Sequence, residues 1–88
     1  MSSSNLLEVG RVVHYYNRIG VAIVDVKAPI RVGDKIRIKG VTTDFTQVVE
    51  SMEIEHAKIS EAKPGDTIGL KVVDRVREKD VVYKVLEE

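Results

Sequence analysis

Short segments of alternating apolar and polar residues recur along the chain, and they predict β-strands. The segment Lys35–Lys39 alternates charged residues with Ile36 and Ile38, so a strand here directs both isoleucines to one face and the charges to water. The segment Thr67–Val72 alternates at the same period. Its core-facing residues are Ile68, Leu70 and Val72. Each segment therefore predicts a strand with one buried face.

Three further segments are rich in β-branched and aromatic residues, which favour strands over helices: Val9–Tyr16, Val21–Val26 and Val81–Leu86. The turn-forming sequence Asn17–Gly20 separates the first two, so we expect them to form a hairpin. Turn signals recur elsewhere about every eight to twelve residues, a spacing typical of a sheet that closes on itself. The pattern thus predicts an all-β domain.

The segment Gln47–Ile59 is compatible with a strand or a helix, because its apolar residues fit both periods. Val49, Met52 and His56 are spaced as on one face of a helix, whereas Met52 and Ile54 alternate with polar neighbours as in a strand. The regular turns elsewhere favour the strand, followed by a loop over residues 56–65.

Length and composition limit the chain to one domain without a strong net charge. Its 88 residues support a single core, which we expect within residues 6–88, after a disordered segment 1–5 of small polar residues. Lys and Arg together number 14, as do Asp and Glu, so a nucleic-acid site would have to be a local patch. The absence of cysteine and of an apolar run of about 20 residues favours a cytoplasmic protein with no membrane partner.

The sequence lacks the residue combinations from which catalytic and metal sites are usually built. Its two histidines, His14 and His56, stand in no metal-ligand spacing, and no cysteine is available as a nucleophile. Glu50, Glu53 and Glu55 are candidates for an acid–base pair, but their pattern is more typical of a solvated strand face. A phosphate-binding P-loop is missing. We therefore expect no enzyme activity, metal, cofactor or GTP binding.

One segment, Arg11–Arg18, combines residue types that suit RNA, since arginine binds phosphate with two hydrogen bonds and tyrosine stacks on unpaired bases. Its candidate RNA-binding residues are Arg11, His14, Tyr15, Tyr16 and Arg18. A second, basic row consists of Lys35, Arg37 and Lys39. Both sets also have a simpler explanation. Exposed arginines are common at hairpins, alternation buries one of the two tyrosines, and edge strands carry charges that prevent aggregation.

Two motifs resemble domain II of the GTPases that act as elongation and initiation factors. One is the run Gly20–Val26 followed by Pro29–Ile36, which is similar to a strand entered through glycine and then an I-x-V-G-D-x-I turn. The other, Ile59–Leu70, is similar to the E-A-x-P-G-D-x-V-G-L turn and strand of that family. Because Val48–Ile54 looks like the strand between them, the resemblance covers nearly all of Val9–Val85 and favours a strand over a helix.

The resemblance implies a closed six-stranded β-barrel of the translation-factor type, a fold that touches ribosomal RNA or the acceptor end of tRNA. The same fold also appears as an accessory barrel in RNA-modifying and peptidase-like proteins. Glu61 stands where the members that bind aminoacyl-tRNA have a glutamate beside the terminal adenosine. Ala28-Pro29 departs from the family, in which an Arg-Gly step is usual, and the GTPase domain itself is missing. In these respects the chain looks like the small elongation-factor-like proteins.

We therefore expect a non-enzymatic, translation-associated module that contacts RNA or the ribosome. The alternative expectation is a protein–protein adapter that docks on a separate enzyme or GTPase. The even charge balance favours the adapter, whereas a clustered distribution of the same charges favours RNA.

Overall fold

The computed structural model describes residues 6–86. Its strands are β1 Leu6–Tyr16, β2 Val21–Val26, β3 Ile30–Arg31, β4 Lys35–Lys39, β5 Asp44–Val48, β6 Met52–Ile54, β7 Ala57–Ile59, β8 Glu61–Ala62, β9 Thr67–Lys71 and β10 Val81–Val85. The predicted disordered segment, residues 1–5, lies outside the described residues. Within residues 6–86, no helix is long and apolar enough to cross a membrane. The prediction of an all-β domain is confirmed.

Eight strands form one antiparallel sheet in the order β5-β4-β10-β1-β2-β9-β6-β7, and β3 pairs with β8 in a second, two-stranded sheet. The large sheet has two edge strands, β5 and β7, which do not pair with each other. The predicted closed six-stranded barrel is therefore wrong. The physical reason is the tight turn at Glu55 and His56, which folds the chain back as a β6–β7 hairpin, so this segment ends the sheet instead of closing it.

The strands predicted from alternation are present with nearly the predicted bounds. β2 and β4 agree at both ends, and β1 pairs with β2 as the predicted hairpin. The ambiguous segment contains strands and no helix, which confirms the strand interpretation. The predicted loop over residues 56–65 is wrong in part, because β7 and β8 lie within it. Strands of two or three residues are too short to show a period, so sequence alternation misses them.

The core consists of the inward faces of these strands together with Val49 and Val76 of the connecting segments. Ile36 and Ile38 of β4, and Ile68 and Leu70 of β9, are buried as the alternation predicted. The other large fully buried side chains are Val9, Val12, Val24, Val26, Ile30, Val49, Met52 and Val76. Since burying one aliphatic side chain contributes about 1.5–3 kcal/mol, this set is the main source of stability.

Three turns share one hydrogen-bonding pattern that ends in aspartate: Arg31–Asp34, Lys63–Asp66 and Arg77–Asp80. In each, the carboxylate accepts a hydrogen bond from the backbone N–H of the first residue, at 2.8, 2.9 and 2.8 Å. The N–H of the aspartate donates to the carbonyl of the first residue, at 3.1, 3.0 and 3.1 Å. The third residues are Gly33, Gly65 and Lys79, with φ of 98°, 95° and 80°. A positive φ at this position is the requirement of a type II turn.

A buried side chain connects the edge strand β5 to the segment that follows β9. The Nε2 of Gln47 donates to the carbonyl of Lys71 at 3.0 Å, and its Oε1 accepts from the N–H of Val73 at 2.8 Å. Gln47 is 8% exposed, so these bonds are largely shielded from water. The side chain joins two segments that no strand ladder joins.

Candidate binding surface

A row of outward-facing residues crosses five strands of the large sheet. His14 lies opposite Ile23, Ile23 opposite Gly69, Gly69 opposite Glu53, and Glu53 opposite Lys58. Successive residues of a strand point to opposite faces, and the neighbours of Ile23 and Gly69 along the chain are buried. The row therefore faces water, and at Gly69 it has no side chain.

The missing side chain at Gly69 leaves a groove of about 460 Å³ on this face. One wall of the groove is apolar and consists of Tyr16, Ile19, Val21 and Ile23. Tyr16 is 49% exposed and Ile19, in the β1–β2 turn, is 65% exposed. Two adjoining depressions of about 320 and 430 Å³ are also lined by Ile19. We name the depression of about 460 Å³ the Ile19 groove.

The opposite wall of the Ile19 groove is acidic. It consists of Glu53, Glu55 and His56, and no lysine or arginine among residues 6–86 lines the groove. Within residues 6–86, neither carboxylate forms an ion pair. Lys58 and Lys71 line the adjoining depression of about 320 Å³ together with Glu53. The Ile19 groove thus places an apolar wall opposite two carboxylates.

The acidic wall includes the turn between β6 and β7, where Glu55 and His56 have φ of 50° and 69°. A two-residue hairpin loop requires this left-handed conformation at both positions, which is why Asn-Gly is the usual sequence there. For residues with a Cβ, the conformation costs about 1–2 kcal/mol each. Such strain is concentrated at sites that bind ligands. The tight turn fixes the backbone that carries Glu55 at the groove.

The structure directs the predicted RNA-binding residues of β1 to different environments. The register of β1 with β2 shifts between Val12 and His14, and this shift determines which of the following side chains point to the core and which point outward. Tyr15 packs against the core, whereas His14 and Tyr16 face outward with their ring centroids 4.5 Å apart. The Nδ1 of His14 lies 3.3 Å from a carboxylate oxygen of Glu78. Tyr16 is thus the member of this set that reaches the apolar wall of the Ile19 groove.

The predicted basic row lies near Arg11 on the outer face of the sheet. Arg11 is opposite Val81, and Val81 is opposite Lys39. Arg37 donates two hydrogen bonds to Asp44, at 2.8 and 3.0 Å. The hydrogen bond from Arg37 lowers the pKa of Asp44, and the same bond raises the pKa of Arg37. Arg37 is therefore already occupied by a carboxylate of its own chain.

The remaining predicted site residues lie on separate elements. Arg18 is exposed in the β1–β2 turn, and Lys35 is exposed at the start of β4. Glu61 lies in β8, where its Oε2 is 3.7 Å from the Nε of Arg31. That these residues bind a ligand stays a prediction. Within residues 6–86, the acidic and histidine side chains form no group of three that could hold a metal ion.

Sequence reasoning missed two residues that define the groove, Ile19 and Gly69. Both carry a signal that can be recognised afterwards. An isoleucine in the otherwise polar turn Asn17–Gly20 is unusual, and an isolated glycine in a strand often marks a close approach of another chain. Neither signal specifies the depression, because its shape depends on the pairing of β2, β9 and β6.

Comparisons with curated proteins find relatives among peptidases. The chain is 40% identical over 82 residues to an uncharacterised protease of Methanocaldococcus jannaschii. The aligned region covers 92% of this chain and 20% of the protease. It is 33% identical over 78 residues to a collagenase of Porphyromonas gingivalis. The aligned region covers 86% of this chain and 22% of the collagenase. The chain thus spans about a fifth of the length of these relatives. No protein-family model matches the sequence.

Comparisons of structure agree with this result. The C-terminal domain of a U32 peptidase from Geobacillus thermoleovorans, as its selenomethionine variant, matches with a TM-score of 0.81 at 26% identity, over 85% of this chain and 95% of that domain. A second structure of that domain matches with a TM-score of 0.83 at 24% identity, over 96% of this chain and 97% of the domain. The fold is therefore similar to that of this C-terminal domain.

These findings correct the assignment to the translation factors. The similar proteins are a protease, collagenases and a U32 peptidase domain, so the resemblance to domain II and the expected RNA- or ribosome-binding translation module are wrong. The alternative adapter on a separate enzyme or GTPase gains no clear support either. The motifs misled because they describe turns. Gly33 and Gly65 supply the positive φ, and Asp34 and Asp66 accept the closing hydrogen bonds, in any sheet with such turns.

The expectation of no enzyme activity is also contradicted, because the relatives are named as a protease and as collagenases. That expectation rested on the residues of this 88-residue chain alone. The matched segment makes up only about a fifth of each relative, so these residues could not indicate the chemistry of the other four fifths. The correction thus concerns the longer protease and collagenases to which the chain is similar.

Proposed function

We propose that this chain serves a U32-type peptidase as its C-terminal β domain and packs against the rest of that peptidase. One observation carries the proposal: the chain is 40% identical, over 92% of its length, to a segment that makes up a fifth of a protease. The similarity to a solved C-terminal domain of a U32 peptidase supports the same position in the molecule. The protein partner is then the remainder of the peptidase.

Surface chemistry supports a protein partner. Several large apolar side chains are at least two fifths exposed, and they lie at more than one end of the sheet. They are Leu7, Val13, Tyr16, Ile19, Val32, Val41, Val48, Val73 and Leu86. Singly such residues are ordinary, but those outside the Ile19 groove, among them Leu7, Val13 and Val73, add apolar surface that a protein partner can cover. Equal numbers of basic and acidic residues, 14 each, also suit a protein surface.

The proposal is tested with a chimera of the Methanocaldococcus jannaschii relative in which this chain replaces the matching segment. Hydrogen exchange is measured in the chimera and in the free chain. We expect a contiguous set of backbone amides within residues 6–86 to exchange more slowly in the chimera, because an interface excludes water from them. Identical exchange in the two molecules would show that the chain packs against nothing in the peptidase.

A further inference from the structure

We infer that the Ile19 groove binds a short segment of polypeptide substrate that carries an aliphatic side chain next to lysine or arginine. The inference rests on the proposed function, since it assigns to this groove the class of molecule on which a peptidase acts. The two walls of the groove, apolar at Ile19 and acidic at Glu53 and Glu55, carry the argument.

The size of the groove favours a short segment over a folded partner. Its volume is about 460 Å³, within the range of about 300–1,000 Å³ that is usual for pockets holding a small ligand or a few side chains. A stable interface between folded domains buries on the order of 1,000 Å² or more. The groove therefore suits an extended segment that inserts one or two side chains.

The apolar wall determines which kind of ligand side chain can insert into the groove. Ile19 is 65% exposed and Tyr16 is 49% exposed, so both have apolar surface that a ligand can cover. Gly69 leaves the space between Ile23 and Glu53 without a side chain. A Cβ added at Gly69 would lie 3.3 Å from a methyl carbon of Val21, which is closer than ordinary contact, so a ligand methyl group would lie slightly farther out, against Val21 and Ile23. An aliphatic side chain is the matching group.

The acidic wall favours a basic residue next to the aliphatic residue of the ligand. Glu53 and Glu55 line the groove without lysine or arginine, and they form no ion pair within residues 6–86. Lys58 lies opposite Glu53 across the β6–β7 pair, so Glu55 is the carboxylate that a lysine or arginine of the ligand would meet. The turn at Glu55 and His56 is held in one conformation by its two-residue connection, so little backbone freedom is lost when the ligand binds.

The experiment measures the binding of three fluorescein-labelled peptides to the full chain by fluorescence anisotropy. The first peptide has leucine between two lysines, the second replaces the leucine with serine, and the third replaces both lysines with glutamate. We expect saturable binding of the first peptide, binding of the other two at least about fivefold weaker, and weaker binding of the first at higher salt. Equal affinity for the three peptides, or no binding of the first, would overturn the inference.

Variants of the chain locate the bound peptide. Ile19→Ser should weaken the binding of the first peptide about tenfold, because it removes the exposed aliphatic surface. Glu55→Gln should weaken it about two- to fivefold and reduce its salt dependence. The control Val41→Ser removes a fully exposed apolar side chain that does not line the groove, and it should leave binding unchanged. Unchanged affinity in both Ile19→Ser and Glu55→Gln would place the peptide elsewhere and refute the inference.

The two proposals can fail separately. Peptide binding is measured on the free chain, whereas packing against the peptidase is measured in the chimera. Altered exchange in the chimera together with no peptide binding would refute only the groove's ligand. Selective peptide binding together with unaltered exchange would refute only the docking on the peptidase.

Discussion

Lys79 occupies a turn position at which the two matching turns have glycine. Its φ of 80° is unfavourable for a residue with a Cβ, whereas Gly33 and Gly65 adopt φ of 98° and 95° without that cost. We expect Lys79→Gly to stabilise the protein by about 0.5–1 kcal/mol, since the relief of strain exceeds the greater entropy of the unfolded chain. Urea unfolding measures the difference. A less stable variant would contradict the interpretation of this turn.

Gly33→Ala is the matched opposite of that substitution. Nothing lies within 4 Å of a Cβ added at Gly33, so steric overlap plays no part in its effect. We expect a loss of about 1 kcal/mol or more from the left-handed backbone alone. If Gly33→Ala proved neutral while Lys79→Gly was stabilising, the positive φ would not be the common cause.

The ion pair between Arg37 and Asp44 makes part of the stability depend on pH. The hydrogen bond from Arg37 lowers the pKa of Asp44, so the stabilisation is present above the ordinary aspartate value of about 3.9 and is lost as pH falls through the lowered pKa. We expect Asp44→Asn to be less stable than the native chain at about pH 7 and equally stable near pH 2. Because both side chains are exposed, the difference should be small.

Urea unfolding at the two pH values measures this dependence. The control is Glu50→Gln, at an exposed carboxylate that forms no ion pair in the described part of the chain. It should show a smaller change between the two pH values. If the native and Asp44→Asn chains differed in unfolding free energy by the same amount at both pH values, the ion pair would not cause the pH dependence.

At the scale of the strands, Gln47 joins β5 to the end of β9. Gln47→Leu keeps the side chain's approximate size but leaves the Lys71 carbonyl and the Val73 N–H without their partner. We expect a loss of about 1–3 kcal/mol and faster hydrogen exchange at the Val73 amide. Thr46→Val, at the exposed neighbour on the same strand, is the control and should leave exchange at Val73 unchanged. Unaltered exchange in Gln47→Leu would show that the joint is not made by this side chain.

The long strands could be predicted because each repeats a pattern. Lys35–Lys39 alternates over five residues, and its two isoleucines are buried as the alternation requires. The strand Asp44–Val48 could not be predicted in this way, because its one buried residue is Gln47, a polar side chain held by hydrogen bonds to a distant segment. The β6–β7 hairpin was equally hidden, since Glu55-His56 is not a typical two-residue turn sequence.

The candidate site was less predictable than the fold. Tyr16 was singled out from the sequence for stacking on bases, and the structure places it beside the exposed Ile19, a neighbour that the sequence did not indicate. The groove arises from the absence of a side chain at Gly69 on one strand and the turn residue Ile19 between two others. Such a site depends on strand register, which alternation within a single strand does not specify.

At the scale of the whole molecule, the turn motifs predicted an all-β domain correctly but specified neither the open sheet nor the family. A positive φ before an aspartate recurs three times within this one chain, which shows how readily the same solution is reused. Function follows from the surface carried by the sheet, and the similarity to a fifth of longer peptidases is the basis for the proposal that a larger partner covers part of that surface.

The central claim is tested most directly by the hydrolysis of a gelatin substrate by three forms of the Methanocaldococcus jannaschii relative. These are the native protease, the protease without its matching segment, and the chimera carrying this chain. We predict that removal of the segment lowers hydrolysis and that the chimera restores at least part of it. A chimera no more active than the truncated protease, while the native form is active, would contradict the claim that this chain serves a peptidase of this type.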